Sequence, residues 1–286
     1  MTSKIKNICA YFLIIFNFII GALSVYTTME GLTDKKHLIF VGIVVILGLS
    51  GSIAMIIDKA YKPLSDKMNE VSEGSANITE CYIIQLLELR EHFNSSCKPH
   101  ELQNQILRGC RELIKTVQQT IQNATGKKVR VCIKMIRGDN ENELYTYCRD
   151  NITLGQCKNE HNQHIEIDKN TDFANILSGN VDVFIGNDLK KDYRKNKYYN
   201  TTRDFKYQST IVAPIRLVYT YEDSQESISE YFGFLCVDSK FKNFFNDEQT
   251  QIFVNLIKST AHYLYAYLSF GNEYYVKRIE YNKEVI

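Results

Sequence analysis

Two uncharged apolar stretches near the N-terminus constrain this chain more than any other feature. Residues 8–29 read ICAYFLIIFNFIIGALSVYTTM and residues 38–57 read LIFVGIVVILGLSGSIAMII. A helix needs ~20 apolar residues to cross ~30 Å of hydrocarbon, and each stretch is long enough. A cleavable leader is the competing reading of the first, but its apolar region is too long, it has no convincing A-x-A site, and a second stretch follows. Residues 1–57 are therefore expected to form a transmembrane helical hairpin closed by the loop 30–37. Lys4, Lys6, Lys59, Lys62 and Lys67 lie on one side, against Lys35 and Lys36 in the loop. That bias places both termini in the cytoplasm, on an inner or cytoplasmic membrane with two spans. Asn17 within the first span, and the small residues Gly48 and Ser52 of the second, suit packing within the hairpin or between copies in a homo-oligomer. A pore-lining bundle is the sharper alternative.

Composition qualifies the remainder. Of 286 residues, roughly 230 follow the apolar start, enough to bury a core. A formal net charge of +1 implies no polyanionic partner for the molecule as a whole. Eight cysteines are scattered without a CxxC pair, and several sit in apolar runs such as Val131-Cys132-Ile133 and Leu235-Cys236-Val237, where a thiol acts as a small hydrophobe. A structural zinc site and disulfides are not expected. His161 and His164 lack a third metal ligand, and no cofactor is implied.

Residues 58–98 read as a juxtamembrane linker and helix. The first part is polar, with Pro63 and Gly74; Ile78, Tyr82, Ile83, Leu86, Leu89 and Phe93 then recur on one helical stripe. That stripe either packs on the following domain or pairs with its copy in a dimer. From 99 to 270 the pattern is a helix opened by Pro99 and closed by Gly126, strands at 129–136 and 143–149, and a short helix from Asp172 through Leu177. A strand at 181–185, two more at 209–217 and 231–238, and a helix from Asp247 to about residue 267 complete it. Residues 271–286 read as a polar tail. This order predicts an α+β domain, an antiparallel sheet with helices on one face.

Four local signatures carry a resemblance. Ser178-Gly179-Asn180 is followed by Gly186-Asn187-Asp188; residues 209–215 read STIVAPI; residues 233–239 read GFLCVDS; and Phe244 or Phe245 precedes Asp247-Glu248. In this order, over about residues 99–269, they resemble the GAF ligand-sensing family. The resemblance implies a GAF-like antiparallel sheet flanked by helices, with a ligand held between the sheet and the crossing loops at about 149–208. The Asn-Lys…Phe…Asp-Glu signature of the cyclic-nucleotide-binding branch is only partly present, with Ser239 before Lys240, so cyclic GMP or AMP is not implied. One branch of the family reduces free methionine sulfoxide with loop cysteines, and Cys148 and Cys157 are the pair that such a reading would use.

The crossing segment 188–208, DLKKDYRKNKYYNTTRDFKYQ, interleaves cations with aromatic rings. Cations pair with phosphate and rings stack on a base, as a nucleotide-like ligand requires. The bland alternative is a solvated loop, or a basic patch facing anionic headgroups. The candidate ligand-binding residues are Arg149, Phe173, Asp188, Tyr193, Arg194, Lys195, Tyr199, Arg203 and Ser209. No P-loop, Ser-His-Asp arrangement or kinase signature is present, so no catalytic residue is assigned. The expected function is a non-enzymatic membrane-anchored sensor of a small, nucleotide-type ligand that signals to its membrane segment or to a downstream protein. The alternatives are a bacterial antiviral membrane effector gated by a nucleotide signal, and a thiol-dependent methionine sulfoxide reductase.

Overall fold

The structure is a computed structural model that describes residues 35–95, 97–137, 140–150, 165–201, 206–220, 227–245 and 250–284. Two compact units are present, Met1–Asp66 and Lys67–Ile286. The first helix, α1 (Lys35–Asn94), begins in the first unit and ends in the second. Residues 8–29 lie outside the described residues. Residues 38–57 lie on the helical backbone of α1, and the side chains up to residue 64 are outside the description. Among the residues described in full, no helix is long and apolar enough to cross a membrane.

Residues 58–77, expected as a linker or frayed helix, are helical throughout. Part of the reason lies in the second unit, where Val71 and Ile78 are buried in the core. Gly74 breaks nothing there: a Cβ on it would stand 2.1 Å from Thr120 Cγ2, so its hydrogen is what lets α1 approach the next helix. The stripe on α1 packs inward, with Leu89 buried, Tyr82 stacked on Tyr263 at 4.8 Å and Phe93 on Tyr274 at 4.3 Å. Ile83 stays exposed.

Helix α2 (Pro99–Thr125) starts where Pro99 costs no hydrogen bond and where Glu101 Oε2 accepts from Lys98 N at 2.7 Å. It ends at Gly126, whose φ of 66° is the left-handed conformation of a C-cap. The strands are β1 (Val129–Arg137), β2 (Asn140–Arg149), β3 (Ile165–Glu166), β4 (Phe184–Gly186), β5 (Ser209–Thr220) and β6 (Ser227–Ser239). They form one sheet in the order β3-β2-β1-β6-β5-β4, antiparallel at every pair. Short helices α3 (Thr171–Leu177) and α4 (Leu189–Arg194) fill the crossing, and α5 (Thr250–Glu284) follows the sheet. The arrangement is α+β, an antiparallel sheet flanked by helices. β3 and α4 were not anticipated, being too short to show periodicity. The start expected at Asp247 lies outside the described residues. Helix α5 extends through the expected polar tail because Tyr274 and Tyr275 pack on the core and Gly271 lies against Ile106.

The two sheet faces carry different cores. Val129, Val131, Ile133, Ile211, Ala213, Ile215, Leu235 and Val237 pack with α1, α2 and α5. Cys132, Val212, Phe234 and Cys236 face the other way, where Phe173 and Ile176 of α3 cover them. Helices therefore flank both faces rather than one, because the crossing helix is itself amphipathic.

Gly233 sets how closely β1 and β6 approach. It pairs with Met135 and Ile215, and a Cβ on it would stand 1.9 Å from the Lys134 carbonyl oxygen. That atom is backbone and has nowhere to move. Gly233→Ala is expected to cost about 3 kcal/mol of folding stability. Gly179→Ala, at a left-handed turn with open space around it, is expected to cost only about 1 kcal/mol. Urea unfolding of the two variants checks this; equal losses would contradict it.

Candidate functional site

The face of the sheet under α3 sets polar and charged groups beside its apolar cluster. Across it, Thr210 opposes Asp238, which opposes Arg130; Cys236 opposes Cys132, which opposes Arg149; and Phe234 opposes Lys134, which opposes Thr146. A register shift between Ile133 and Lys134 brings both Arg149 and Thr146 to this face. Thr210 Oγ1 donates to Asp238 Oδ1 at 2.7 Å. Burial raises the Asp238 carboxyl above its ordinary range, opposed by that hydrogen bond and by Lys134, Arg149 and Arg130.

The roof over this face is α3 with the segment that follows α4. Thr171 Oγ1 accepts from Tyr199 N at 2.7 Å, and Asn170 Oδ1 accepts from Thr201 N at 3.1 Å, so the segment is stitched to the start of α3. The stitching turns Tyr198 inward. Its hydroxyl donates to Asp172 Oδ2 at 3.2 Å, and Asn200 Nδ2 donates to the hydroxyls of Tyr198 and Tyr207 at 3.1 and 2.8 Å. Asp172 is 3% exposed, and burial pushes its carboxyl up to about 6, with Lys134 and the Tyr198 and Phe173 hydrogen bonds working against the rise. Both phenols are held well above their ordinary range, first by burial, and remain neutral donors. Lys134 Nζ stands 5.9 Å from the Phe173 ring centroid.

Beside this cluster lies a cleft of about 440 Å³ lined by Lys127, Lys128, Arg130 and Lys240, together with Tyr207, Asp238 and Phe241. Cleft and cluster share Tyr207 and Asp238. Among the described residues no carboxylate forms an ion pair with any of the four cations. Lys127 Nζ is 4.9 Å from the ring centroid of Phe241, which is 48% exposed. The cations suit phosphate oxygens, the exposed ring offers a stacking surface, and the carboxyl and phenol supply hydrogen-bonding groups at the inner end.

The residues singled out from the sequence are distributed unevenly. Arg149 and Phe173 lie at the polar face. Asp188 caps α4, accepting from Lys191 N at 3.4 Å. Ser209 is fully buried in a structural tie, with its hydroxyl 2.9 Å from the Asn187 carbonyl and 2.8 Å from that of Phe241. Tyr193, Arg194, Lys195 and Tyr199 are exposed, and Arg194 Nε donates to the Lys190 carbonyl at 3.1 Å. Arg203 lies outside the described residues, as do Cys157, His161 and His164. Cys148 is buried against the helical layer, where burial pushes its thiol up to about 12. The residues that sequence reasoning passed over are Lys127, Lys128, Arg130, Lys134, Tyr198, Tyr207, Thr210 and Asp238. A signal existed in β1, where Arg130 and Lys134 alternate with Val129, Val131 and Ile133 in a strand whose neighbours cover both faces. Asp172, expected to open the short helix, sits in its first turn behind Asn170 and belongs to the buried cluster.

No protein-family model matches this chain, and neither does any curated protein. Solved structures similar to it include the GAF domain of an Acinetobacter phosphoenolpyruvate-protein phosphotransferase, 12% identical, covering 67% of this chain and 94% of that one with a TM-score of 0.40. The GAF domain of a phosphoenolpyruvate-protein phosphotransferase from Coxiella burnetii is 11% identical, covering 67% and 95%, with a TM-score of 0.37. A free methionine-R-sulfoxide reductase from Neisseria meningitidis, in complex with its substrate, is 11% identical, covering 70% and 92%, with a TM-score of 0.39. Similarity at this level assigns neither residue roles nor activity.

The raised carboxyl of Asp172 gives a pH dependence of definite sign. A folded-state value of about 6 against an ordinary 3.8 means that the folded chain binds this proton more tightly than the unfolded one. The contribution to stability therefore falls as pH rises from about 4 to about 6 and levels off above. Asp238 shifts in the same direction. Asp172→Asn is expected to gain on the parent by on the order of 2 kcal/mol at pH 7.5, with little gain at pH 4. Thermal unfolding at both pH values checks this; a gain of equal size at the two would contradict it.

Proposed function

We propose that this chain is a membrane-anchored, non-enzymatic sensor whose GAF-like unit binds a small nucleotide-type anion. The ligand lies in the basic cleft with its phosphate against Lys127, Lys128, Arg130 and Lys240. Its base rests on Phe241 and reaches Asp238 and Tyr207. The observation that carries this reading is the convergence of four cations, none ion-paired among the described residues, on a cleft that also presents a half-buried carboxyl and a phenol. A structural surface patch has no need of the inner polar cluster.

The uncharged stretches 8–29 and 38–57 support anchoring in the cytoplasmic membrane, and the helical backbone across 38–57 is the conformation that a span requires. Occupancy is passed on only if the ligand prefers one of two states of the unit. The roof over the polar face is the element whose position such a ligand would bias, and the recipient is the membrane hairpin or a partner protein. A second reading, a bacterial effector in which the nucleotide drives oligomerisation and permeabilises the membrane, is favoured by the exposed apolar patch of Ile83, Ile84 and Leu87 on α1.

The cleft and the outer basic segment make opposite predictions. Lys128→Ala/Arg130→Ala/Lys240→Ala is expected to weaken binding of a nucleoside polyphosphate by at least about 100-fold, taking ~1.5–3 kcal/mol for each charge-assisted contact. Arg194→Ala/Lys195→Ala is expected to change it by less than about threefold. Calorimetric titration of the full chain reads both; unchanged affinity in the triple variant would remove the assignment. Dye leakage from liposomes on adding nucleotide, lost on deleting residues 1–57, would favour the effector reading over the sensor.

A further inference from the structure

A second cleft, of about 430 Å³, lies between α1 and α2, and its chemistry is the reverse of the first. Glu70, Glu73 and Glu80 of α1 and Glu112 of α2 line it, together with Cys81 and Gln85. Glu112 is ion-paired with Lys115 at 3.1 Å, whereas Glu70, Glu73 and Glu80 have no cation within ion-pair range among the described residues. Gln85 is only 6% exposed, and its Oε1 finds no hydrogen-bond donor among the described residues. A buried carbonyl oxygen left without a donor is costly, so a donor from outside the chain fits there. The carboxylates that line the same cleft favour a donor that carries positive charge.

The spacing limits which cation it is. Glu70, Glu73 and Glu80 follow one face of α1 over about 15 Å, at 1.5 Å per residue. Ligands so dispersed cannot converge on one metal ion at about 2.0–2.6 Å, and among the described residues no group of three or more metal-binding side chains occurs. A linear alkylamine places successive ammonium groups roughly one helical turn apart, about 5.4 Å. We propose that this cleft binds a linear polyamine, with its end ammonium groups against Glu73 and Glu80, about two helical turns apart, and one N–H donated to Gln85 Oε1. The site is separate from the basic cleft and takes a ligand of opposite charge. Gly74 and Thr120, which meet across the two helices, both line it, so the ligand bridges α1 and α2.

Spermidine is the probe, titrated calorimetrically into the full chain in mild detergent, with alkylation of Cys81 followed by peptide mass spectrometry. Cys81 is half-buried in the cleft and reports occupancy directly. The expected result is saturable binding that slows Cys81 alkylation at least fivefold and leaves Cys97 unchanged. Glu73→Gln/Glu80→Gln should weaken binding at least tenfold, and Gln85→Leu severalfold without loss of thermal stability. Binding no tighter than that of magnesium at equal charge, or unchanged Cys81 alkylation at saturating spermidine, would overturn the proposal. Binding of a basic peptide helix in place of spermidine would also overturn it and mark the face as a protein contact.

Discussion

The pairing of β1 with β6 is the constraint on which the rest of the second unit depends. Its register sets Val131 and Ile133 beside Val237 and Leu235 in the helical core, and on the opposite face it sets Arg130, Lys134 and Asp238 together. A slip of one residue would exchange the two faces, burying the charges against α2 and α5. Core and candidate site are therefore products of one alignment, and Gly233 holds the strands close enough to keep it.

The polar face works against stability and is informative for that reason. Two carboxyls, Asp172 and Asp238, sit where burial disfavours their charge, and Lys134 and Arg149 offset only part of that. Replacing buried charged groups with apolar ones of similar size is often stabilising, so a fold selected for its core alone would have filled this space with aliphatic side chains. Perturbed groups of this kind cluster at binding sites. A ligand that brings its own donors and negative charge would meet the cations of the cleft, none ion-paired among the described residues, and the raised carboxyl of Asp238 together. The segment after α4 is tied to α3 by hydrogen bonds through Asn170 and Thr171 and anchored by Tyr198, which stacks on Phe184 at 5.9 Å.

The architecture was readable in the sequence where periodicity was strong. The α2 stripe from Leu102 to Ile121, and the strands around Ile133, Ile211 and Leu235, fall where their patterns place them. Patterns failed where tertiary contact overrode local chemistry. Gly74 reads as a breaker but serves a helix contact, and residues 271–284 read as a polar tail but continue α5 because Tyr274 stacks on Phe93. Of the candidate site, Arg149 and Phe173 were legible. The run of cations at 189–197 drew attention by density, whereas the cations that meet at the cleft are separated by more than a hundred residues, Lys127 from Lys240, and join only when the start of β1 lies beside the end of β6. Tyr198 could not be told from Tyr199 before the roof's hydrogen bonds were known.

Hydrogen–deuterium exchange on the full chain, with and without saturating nucleoside polyphosphate, tests the central claim most directly, because it locates the ligand without altering a residue. The account predicts slowed exchange at residues 127–134, 206–210 and 236–241, with the outer segment 189–197 unchanged. Protection confined to 189–197, or no protection from any nucleotide at concentrations that saturate binding, would contradict it.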